Sequence, residues 1–533
     1  MDRWRAAAGA LSGLLAAFAA LASAELVSAA VRPEAGPVTA VGGAAIDRTP
    51  APVKDWAIQQ FGTNDKLVLQ LGIVAVLALS ALALGVVALR RRLVAAAGVA
   101  LFGVVGALAA TGRPDSTGAV DALPSLAGAV AAAGLLYGLS GRLARDSSAG
   151  DNLPQASESS GDVPRAATAR EWDRRGFVIA ATAAAAASAG AWTLGKSLNA
   201  ASGKDAVASR DSVVLPAPGS AAPAVPKGAQ LRVAGISSFV TANKDFYRVD
   251  TALVVPKVNA DTWRLRIHGT GVTRGRTLSY ADLLGRELVE RDITLTCVSN
   301  EVGGPYVGNA RWIGVPLAGL LDECGVVPPA RGGRADQLVA RSVDGMTIGT
   351  PVDDVMDGRD ALLVLGMNGE PLPFEHGFPV RMLVPGLYGY VSACKWIEDI
   401  ELTTFDSYDP YWVKRDWARE APVKTQSRID TPKPFARPKA GTVVVAGVAW
   451  AQHRGIDKVE VRVDDGPWQP ADLAAEDSRD TWRQWSFRWQ ATSGGHTLAV
   501  RATDRTGTVQ TGKRTRTIPD GASGRHSVVV TVT

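Results

Sequence analysis

The sequence has few residues that could form a disulfide framework or a metal cluster. Only three cysteines, Cys297, Cys324 and Cys394, occur in 533 residues. They are too few and too scattered for a disulfide framework, a zinc cluster or a haem-attachment motif. Any cysteine chemistry must therefore come from a single thiol. A lone cysteine in a mixed domain is more often buried packing, which is our expectation for Cys324 and Cys394.

Histidine and clustered positive charge are also scarce. The formal net charge of +5 is spread along the chain, and no block of Lys or Arg alternates with aromatic residues. This excludes a nucleic-acid-binding groove. All histidines lie outside the long apolar segments, so those segments offer no imidazole pair to ligate a haem iron. The histidines are His268, His376, His453, His496 and His526.

Long apolar runs dominate the first 143 residues. Four of them approach the length of about 20 residues that spans a bilayer as a helix. They are Ala6–Val31, Leu67–Leu89, Leu93–Ala110 and Leu123–Leu139. We predict an all-α transmembrane region over residues 1–143. Arginines follow the second and fourth runs, whereas the loops at 32–65 and 111–121 are poor in positive charge. The positive-inside rule therefore places the N-terminus in the cytoplasm.

The first apolar run has a second interpretation. Ala22-Ser23-Ala24 has the small-x-small form of a cleavage site, so residues 1–24 are alternatively a cleaved signal peptide. We expect retention, because three further spans follow and the apolar run continues past Ala24. Glu25 is then an intramembrane acid or a residue near the interface. A role for it in proton or quinone chemistry is the alternative.

A fifth apolar segment follows a polar linker. Residues 144–172 predict a cytoplasmic linker, since Ser, Ala, Pro and acidic residues dominate them. The stretch 171–177, with Arg174 and Arg175, resembles a twin-arginine export signal embedded in the chain. The alternative is a span with ordinary basic flanks. We predict a helix over 173–196 and a flexible tether over 197–229. The protein is then a multi-pass cell-membrane protein with its soluble part outside the cytoplasm.

Two soluble domains are predicted after the tether. Residues 230–420 mix short strands, such as Trp263–His268 and Gln337–Ser342, with brief helices such as Tyr280–Leu284, which is typical of an α+β domain. Residues 421–533 have strand patterns separated by turn residues and predict an immunoglobulin-like β-sandwich. The fold class is therefore multi-domain. Such a sandwich by itself names no function.

Two motifs carry the most specific signal. Within the stretch 294–300, Cys297 ends a strand-like pattern and opens into a Gly-rich loop. The sequence Arg-Trp-Ile-Gly-Val-Pro-Leu follows at 311–317. A second stretch at 367–381 reads Met-Asn-Gly-Glu-Pro-Leu-Pro and continues to His-Gly-Phe-Pro-Val-Arg, with Lys-Trp at 395–396. Together they resemble the molybdenum-ligating and pterin-binding segments of the sulfite oxidase family. The resemblance covers about Gln230 to Thr533 and implies a terminal dimerisation domain, and hence a homodimer.

The resemblance implies a Mo-molybdopterin cofactor. High-valent molybdenum accepts a soft thiolate well, and the pterin phosphate calls for fixed cationic donors. By resemblance Cys297 is the metal ligand and a catalytic residue, and Arg248 faces the substrate anion. The stretch 389–395 is one residue longer than the family's usual spacing before its lysine. The other residues implied to hold the cofactor are Asn243, Phe246, Tyr247, His376, Arg381, Tyr390 and Lys395.

The expected function is oxygen-atom transfer on a small, sulfur-containing substrate outside the cytoplasm. Electrons would pass through a separate carrier, a cytochrome or a quinone-linked membrane protein. Sulfite oxidases line their pocket with several arginines, but here none follows Cys297 until Arg311. A sulfoxide or a non-sulfur oxo-anion therefore stays open as the substrate. The alternative from another class is a metal-free, membrane-tethered binding protein that keeps the fold.

Overall fold

This computed structural model describes residues 3–50, 53, 56, 60, 61, 65–148 and 165–533. The chain divides into two compact units. The first comprises Met1–Asp205 and Thr251–Val254, and the second comprises Ala206–Asp250 and Val255–Thr533. Most of the predicted cytoplasmic linker, and the side chains of the twin-arginine stretch up to residue 174, lie outside the described residues.

The first unit is helical. Five helices among the described residues are long and apolar enough to cross a membrane, in agreement with the five apolar segments of the sequence. The helices up to residue 211 are α1 (Arg3–Val31), α2 (Pro37–Arg48), α3 (Asp65–Ala88), α4 (Arg92–Thr111), α5 (Leu123–Ser148) and α6 (Arg165–Asp211).

Small residues bring α1 and α3 close together. A Cβ atom at Gly13 would collide with the carbonyl oxygen of Ala81, and one at Gly85 would collide with that of Gly9. Lipid tails are as apolar as these side chains, so the hydrophobic effect does not drive such helices together. Small residues instead let the backbones approach closely and gain van der Waals contacts. The Gly/Ala richness of these segments is therefore a packing feature.

Two charged side chains in the helical unit, Arg32 and Glu25, have polar partners. Arg32, just after α1, donates to both carboxylate oxygens of Asp121 at 3.0 and 3.1 Å and to Asp115 at 3.0 Å. Glu25, inside α1, accepts a hydrogen bond of 2.8 Å from the side-chain amide of Asn199. Glu25 thus has an interhelical partner, which lowers the cost of its position.

The end of α6 differs from the sequence prediction. A helix ending at residue 196 and a flexible tether over 197–229 were expected, whereas α6 continues to Asp211. Arg210 donates to the carbonyl oxygens of Leu372 and Pro371 at 2.8 Å, and Ser220 forms a parallel bridge with Val289. The prediction treated the Ala and Ser residues of this segment as typical of a linker. Ala is, however, the strongest helix former.

Two sheets form the mixed part of the second unit. One has the order β2-β1-β10-β5-β6, and the other has the order β3-β4-β7-β8, with β9 on β7. All pairs are antiparallel except β1 with β10. The strands are β1 (Arg264–Gly269), β2 (Arg276–Ser279), β3 (Val289–Thr296), β4 (Val307–Pro316), β5 (Gln337–Ser342), β6 (Thr347–Pro351), β7 (Leu362–Met367), β8 (Glu370–Pro371), β9 (Arg381–Leu383) and β10 (Ile397–Thr403).

Short helices and buried strands surround these sheets. Every residue of β7 is buried, and such a continuous apolar strand needs cover on both faces. Tyr280–Leu284 and Gln337–Ser342 have the bounds that the sequence predicted, and Trp263–His268 is shifted by one residue. The short helices are α7 (Tyr280–Leu284), α8 (Leu317–Glu323), α9 (Val352–Met356) and α10 (Gly389–Ser392).

The terminal part of the chain has two four-stranded antiparallel sheets with a shared apolar core. Their orders are β11-β12-β16-β15 and β14-β13-β17-β18. Val445 and Trp485 of the first sheet belong to the same buried cluster as Val500 and Val530 of the second. The strands are β11 (Gln426–Thr431), β12 (Gly441–Trp450), β13 (Ile456–Val463), β14 (Gln469–Pro470), β15 (Asp472–Leu473), β16 (Arg483–Ala491), β17 (Gly494–Asp504) and β18 (His526–Val532).

The pairing of β11 with β12 predicts a glycine requirement. A Cβ atom at Gly447 would collide with the carbonyl oxygen of Arg428, whereas one at Gly495 on β17 meets nothing within 4 Å. Gly447→Ala should therefore lower the free energy of unfolding by about 1–3 kcal/mol. Urea denaturation of the detergent-solubilised chain, followed by tryptophan fluorescence, measures this. Gly495→Ala is the matched control, and equal stability of the two variants would contradict the close approach of the strands.

Candidate active site

Cys297 is the first residue after β3 and begins a short loop. Its backbone N–H donates to the carbonyl oxygen of Tyr306 at 2.9 Å, which extends the β3–β4 ladder by one step. The N–H of Asn300 donates back to the carbonyl oxygen of Cys297 at 3.0 Å, and the side chain of Asn300 accepts from the N–H of Tyr306 at 2.8 Å. The loop thus closes on itself and fixes the thiol.

The thiol of Cys297 is buried. Burial raises the pKa of Cys297, and hydrogen bonds from Ser299 and the charge of Lys395 oppose this. A soft metal cation is the usual way to stabilise a buried thiolate, since a coordinating thiol loses its proton. Burial therefore disfavours a free thiolate nucleophile at this position.

Residues from the β-sandwich support β3 directly below Cys297. The side-chain amide of Gln452 donates to the carbonyl oxygen of Thr294 and to the hydroxyl of Thr296, both at 2.9 Å. The backbone N–H of Trp482 donates to the Thr294 hydroxyl at 2.7 Å. These bonds are buried, so they are stronger than exposed ones and rigidify the strand.

Aromatic rings form one wall of the site. The ring of Phe246 stacks on Tyr247 at 5.1 Å and meets the rings of Trp312 and His376 edge-on, each at 5.6 Å. The approach of Phe246 to β4 depends on Gly308, because a Cβ there would lie 2.8 Å from the ring. Burial raises the pKa of Tyr247, and the charge of the Cys297 thiolate, when it forms, raises it further.

Asn243 connects the segment before β1 to the second motif. Its side-chain oxygen accepts from the amide of Asn368 at 2.7 Å, and its backbone oxygen accepts from Nε2 of His376 at 2.9 Å. Burial lowers the pKa of His376 to about 4, so the ring is neutral and Nε2 carries the proton. Residues that are more than 120 positions apart are thereby held in one cluster.

Arg381, the first residue of β9, is a buried cation. Its guanidinium lies 5.5 Å from the centroid of the Trp312 ring and donates weakly to the carbonyl oxygen of His376 at 3.4 Å. Its Nε atom is buried and has no hydrogen-bond partner among the described residues. Burial lowers the pKa of Arg381, yet an arginine stays charged. A buried, unpaired charge is costly and calls for an anion.

Lys395 and Arg248 share a carboxylate that the sequence analysis did not single out. The ammonium of Lys395 donates to Asp250 at 2.9 Å and to the carbonyl oxygen of Glu375 at 3.0 Å. Arg248 donates to the same carboxylate at 3.2 Å and is partly exposed. Burial lowers the pKa of Lys395 to about 8. The only sequence signal for Asp250 was its place at the end of the 243–250 segment.

The predicted residue Tyr390, and Arg311 of the first motif, have their polar groups engaged elsewhere. The hydroxyl of Tyr390 donates to the carbonyl oxygen of Ala418 at 2.8 Å, and its ring packs on Trp417. Arg311 forms two hydrogen bonds with the carboxylate of Asp292, its cross-strand partner on β3. Because successive side chains of a strand point to opposite faces, Arg311 lies on the face away from Trp312. Arg311 therefore does not face the Arg381 cluster.

Other candidate groups are structural. Cys324 and Cys394 lie in the main apolar core. His268, Asp399 and Glu401 place potential ligand atoms within 4.8 Å of one another. Arg266 donates to the carboxylate of Asp399 at 2.8 Å, and His268 does so at 3.0 Å. This carboxylate is already paired, so the group needs no metal.

Comparisons with known proteins bear on this cluster. Residues 252–412 match the family model described as oxidoreductase molybdopterin binding domain. The chain is 30% identical over 294 residues to mitochondrial sulfite oxidase of Rattus norvegicus. This alignment covers 48% of this chain and 53% of the relative. The chain is 28% identical over 307 residues to the Homo sapiens protein of that name, which covers 49% and 55%. Residues 252–412 therefore carry an oxidoreductase molybdopterin binding domain, in a chain that is similar to mitochondrial sulfite oxidases.

The matches are partial. The chain spans about half the length of the mitochondrial sulfite oxidases that it matches. A crystal structure of the sulfane dehydrogenase SoxCD from Paracoccus pantotrophus aligns with a TM-score of 0.47 at 23% identity, and covers 56% of this chain and 84% of that chain. Asn243, Phe246 and Tyr247 precede the stretch that the molybdopterin-domain model matches.

The residues of this domain fit a Mo-molybdopterin cofactor. The cofactor offers a phosphate and a ring rich in acceptors, which pair with fixed donors. Two of the buried donors without a partner in the described part of the chain belong to the two motifs: Nε of Arg381 and the side-chain nitrogen of Asn300. Asn300, three residues after Cys297, was not among the predicted site residues. A buried thiol together with unpaired buried donors is the set that an anionic, metal-bearing group needs.

The neutral state of His376 predicts a pH dependence. Its pKa is lowered from 6.5 to about 4 in the folded chain, so protonation favours the unfolded state. The stability that it contributes is complete above pH 6.5 and is lost as the pH falls towards 4, by about 3 kcal/mol at most. His376→Gln should flatten the urea stability profile between these pH values. The control is His268→Gln, at a partly exposed histidine outside this cluster, and equal profiles for all three proteins would contradict the assignment.

Proposed function

We propose that this chain is a membrane-anchored enzyme that transfers an oxygen atom to or from a small sulfur-containing substrate, sulfite or a sulfoxide, with molybdenum held by Cys297. The observation that carries the proposal is the buried thiol at the end of β3, in a domain that also holds the unpaired guanidinium of Arg381. The names of the sulfite oxidase relatives support a sulfur substrate.

The residues would divide the work of holding the cofactor. Cys297 supplies the thiolate ligand, and Arg381 supplies the buried positive charge for the anionic part of the pterin. Asn243 and His376 fix each other by a hydrogen bond of 2.9 Å, and Phe246 and Tyr247 keep water from this side of the site. When bound, the cofactor supplies two-electron oxygen-atom transfer chemistry.

The charges near the site bear on the substrate. Arg248 is the partly exposed cation of the 243–250 segment, and it would orient an anionic substrate such as sulfite. Its charge is partly offset by Asp250, and Arg311 is engaged by Asp292. An anion pocket with so few free guanidinium groups also admits a neutral sulfoxide, which is the second candidate substrate.

The remaining features of the proposal concern location and partners. The five apolar helices support membrane anchoring, and the charge pattern of the loops supports an extracytoplasmic catalytic domain exported by the twin-arginine route. Electrons would pass to or from a separate carrier. The terminal sheets would form an immunoglobulin-like domain suited to homodimerisation. The alternative, a metal-free binding protein, would leave the charge of Arg381 buried without a partner.

Replacing the proposed ligand should abolish turnover. Cys297→Ser offers a harder oxygen in place of the soft thiolate. Sulfite oxidation with ferricyanide as acceptor, and methionine sulfoxide reduction with reduced methyl viologen as donor, should both fall at least about 100-fold in the full chain. Cys324→Ser, in the core, is the control that keeps turnover. Full activity of Cys297→Ser would disprove the proposal.

Removing the buried cation should separate stability from cofactor binding. Cofactor-free Arg381→Met should be at least as stable as the cofactor-free wild type, because an uncompensated buried charge is removed. When made in cofactor-competent cells, this variant should contain about tenfold less molybdenum by elemental analysis. Arg359→Met is the control, since Arg359 pairs with Asp354 and Asp357 and its loss should destabilise the chain. Unchanged molybdenum in Arg381→Met would contradict the assigned role.

A further inference from the structure

Three arginines surround one tryptophan on the terminal sheets. The guanidinium carbons of Arg462, Arg501 and Arg525 lie 5.1, 4.5 and 5.1 Å from the centroid of the Trp468 ring. We call these four residues the basic patch. Arginine is favoured on aromatic faces because its cation is attracted by the ring quadrupole. Three cations around one ring nevertheless repel one another, and such an arrangement needs a reason.

The strand register explains how the arginines meet. Val461 on β13 pairs with Val500 on β17, which in turn pairs with His526 on β18. Val461 and Val500 point into the apolar core. Their neighbours Arg462 and Arg501 therefore point to the outer face, because side chains alternate along a strand.

The charge of the basic patch is largely uncompensated. Glu460 binds Arg501 at 2.8 Å and also Lys458 at 3.2 Å. Arg462 and Arg525 have no carboxylate partner within the described part of the chain, and the Nε atom of each is buried without an acceptor. Burial, together with the charges of Arg501 and Arg462, lowers the pKa of Arg525. The patch thus presents guanidinium groups that are free to bind an anionic surface.

The basic patch adjoins the loop that carries Cys297. A Cβ atom at Gly303 would collide with the ring of His526, the residue after Arg525. A Cβ at Gly524 would lie 3.6 Å from Val302, and Arg428 donates to the carbonyl oxygen of Gly304 at 2.8 Å. The loop therefore contacts both residues that flank Arg525, within one compact unit.

We propose that the basic patch is the docking surface for an acidic electron-carrier protein. The inference rests on the proposed function, which requires electron exchange with a separate carrier. Charged surfaces steer transient partners and set their association rate. The residues that flank Arg525 contact the loop that follows Cys297, so a carrier docked on the patch would lie on the side of the domain that supports this loop. A second copy related by a twofold axis through the patch would oppose the same arginines, so self-association there is disfavoured.

The test uses the detergent-solubilised full chain and an acidic plastocyanin as the probe. Its affinity, measured by thermophoresis at low salt, should fall about tenfold or more in the triple variant R462Q/R501Q/R525Q. The charge-matched control R437Q/K439Q/R488Q alters three exposed cations elsewhere on the same domain and should keep the affinity. A basic cytochrome c should bind none of them. Equal loss in both triple variants would overturn the proposal.

Turnover separates this proposal from the proposed function. With plastocyanin as electron acceptor, sulfite oxidation should fall at least about tenfold in R462Q/R501Q/R525Q, whereas oxidation with the small acceptor ferricyanide should be unchanged. Loss of both would place the arginines in the catalytic machinery and overturn docking. A third outcome is that no protein oxidises sulfite while only R462Q/R501Q/R525Q loses plastocyanin binding. This outcome would support docking and would count against sulfite as the substrate. Patch-dependent binding to phosphatidylglycerol vesicles, with plastocyanin affinity unchanged, would make the occupant a membrane and overturn the proposal.

Discussion

The buried positive charge of Arg381 is the constraint on which the rest of the site depends. A guanidinium in the core, with a ring on one side and a single weak carbonyl contact, is unfavourable unless an anion joins it. The surrounding structure holds it there: β9 is bonded to the fully buried β7, and Trp312 sits on the neighbouring β4. In the proposed function, the anionic part of the cofactor would be the partner of this charge.

The β-sandwich is part of this arrangement. Gln452 and Trp482 bind the strand that ends at Cys297, and Arg428 binds the loop that follows it. The loop that carries Cys297 is therefore held by residues of the terminal sheets, while Asn243 and His376 are joined by a hydrogen bond of their own. The residues on either side of Arg525 also contact this loop.

The sequence predicted the parts of this site that local patterns encode. The apolar runs indicated the five long helices, and two motifs indicated Cys297, His376 and Arg381. It could not show that Arg311 is engaged by Asp292, because that depends on the register between β3 and β4. The double role of Asp250 and the unpaired nitrogen of Asn300 arise from tertiary contacts. The extension of α6 was missed because linker-like composition and helix propensity overlap in Ala-rich chain.

The central claim is that the thiolate of Cys297 binds molybdenum. X-ray absorption at the molybdenum edge counts the sulfur neighbours of the metal directly, in the full chain purified with its cofactor. The account predicts that Cys297→Ser loses one sulfur neighbour relative to the wild type, in any metal that it retains, while Cys394→Ser keeps them all. An identical sulfur count in wild type and Cys297→Ser would contradict the account.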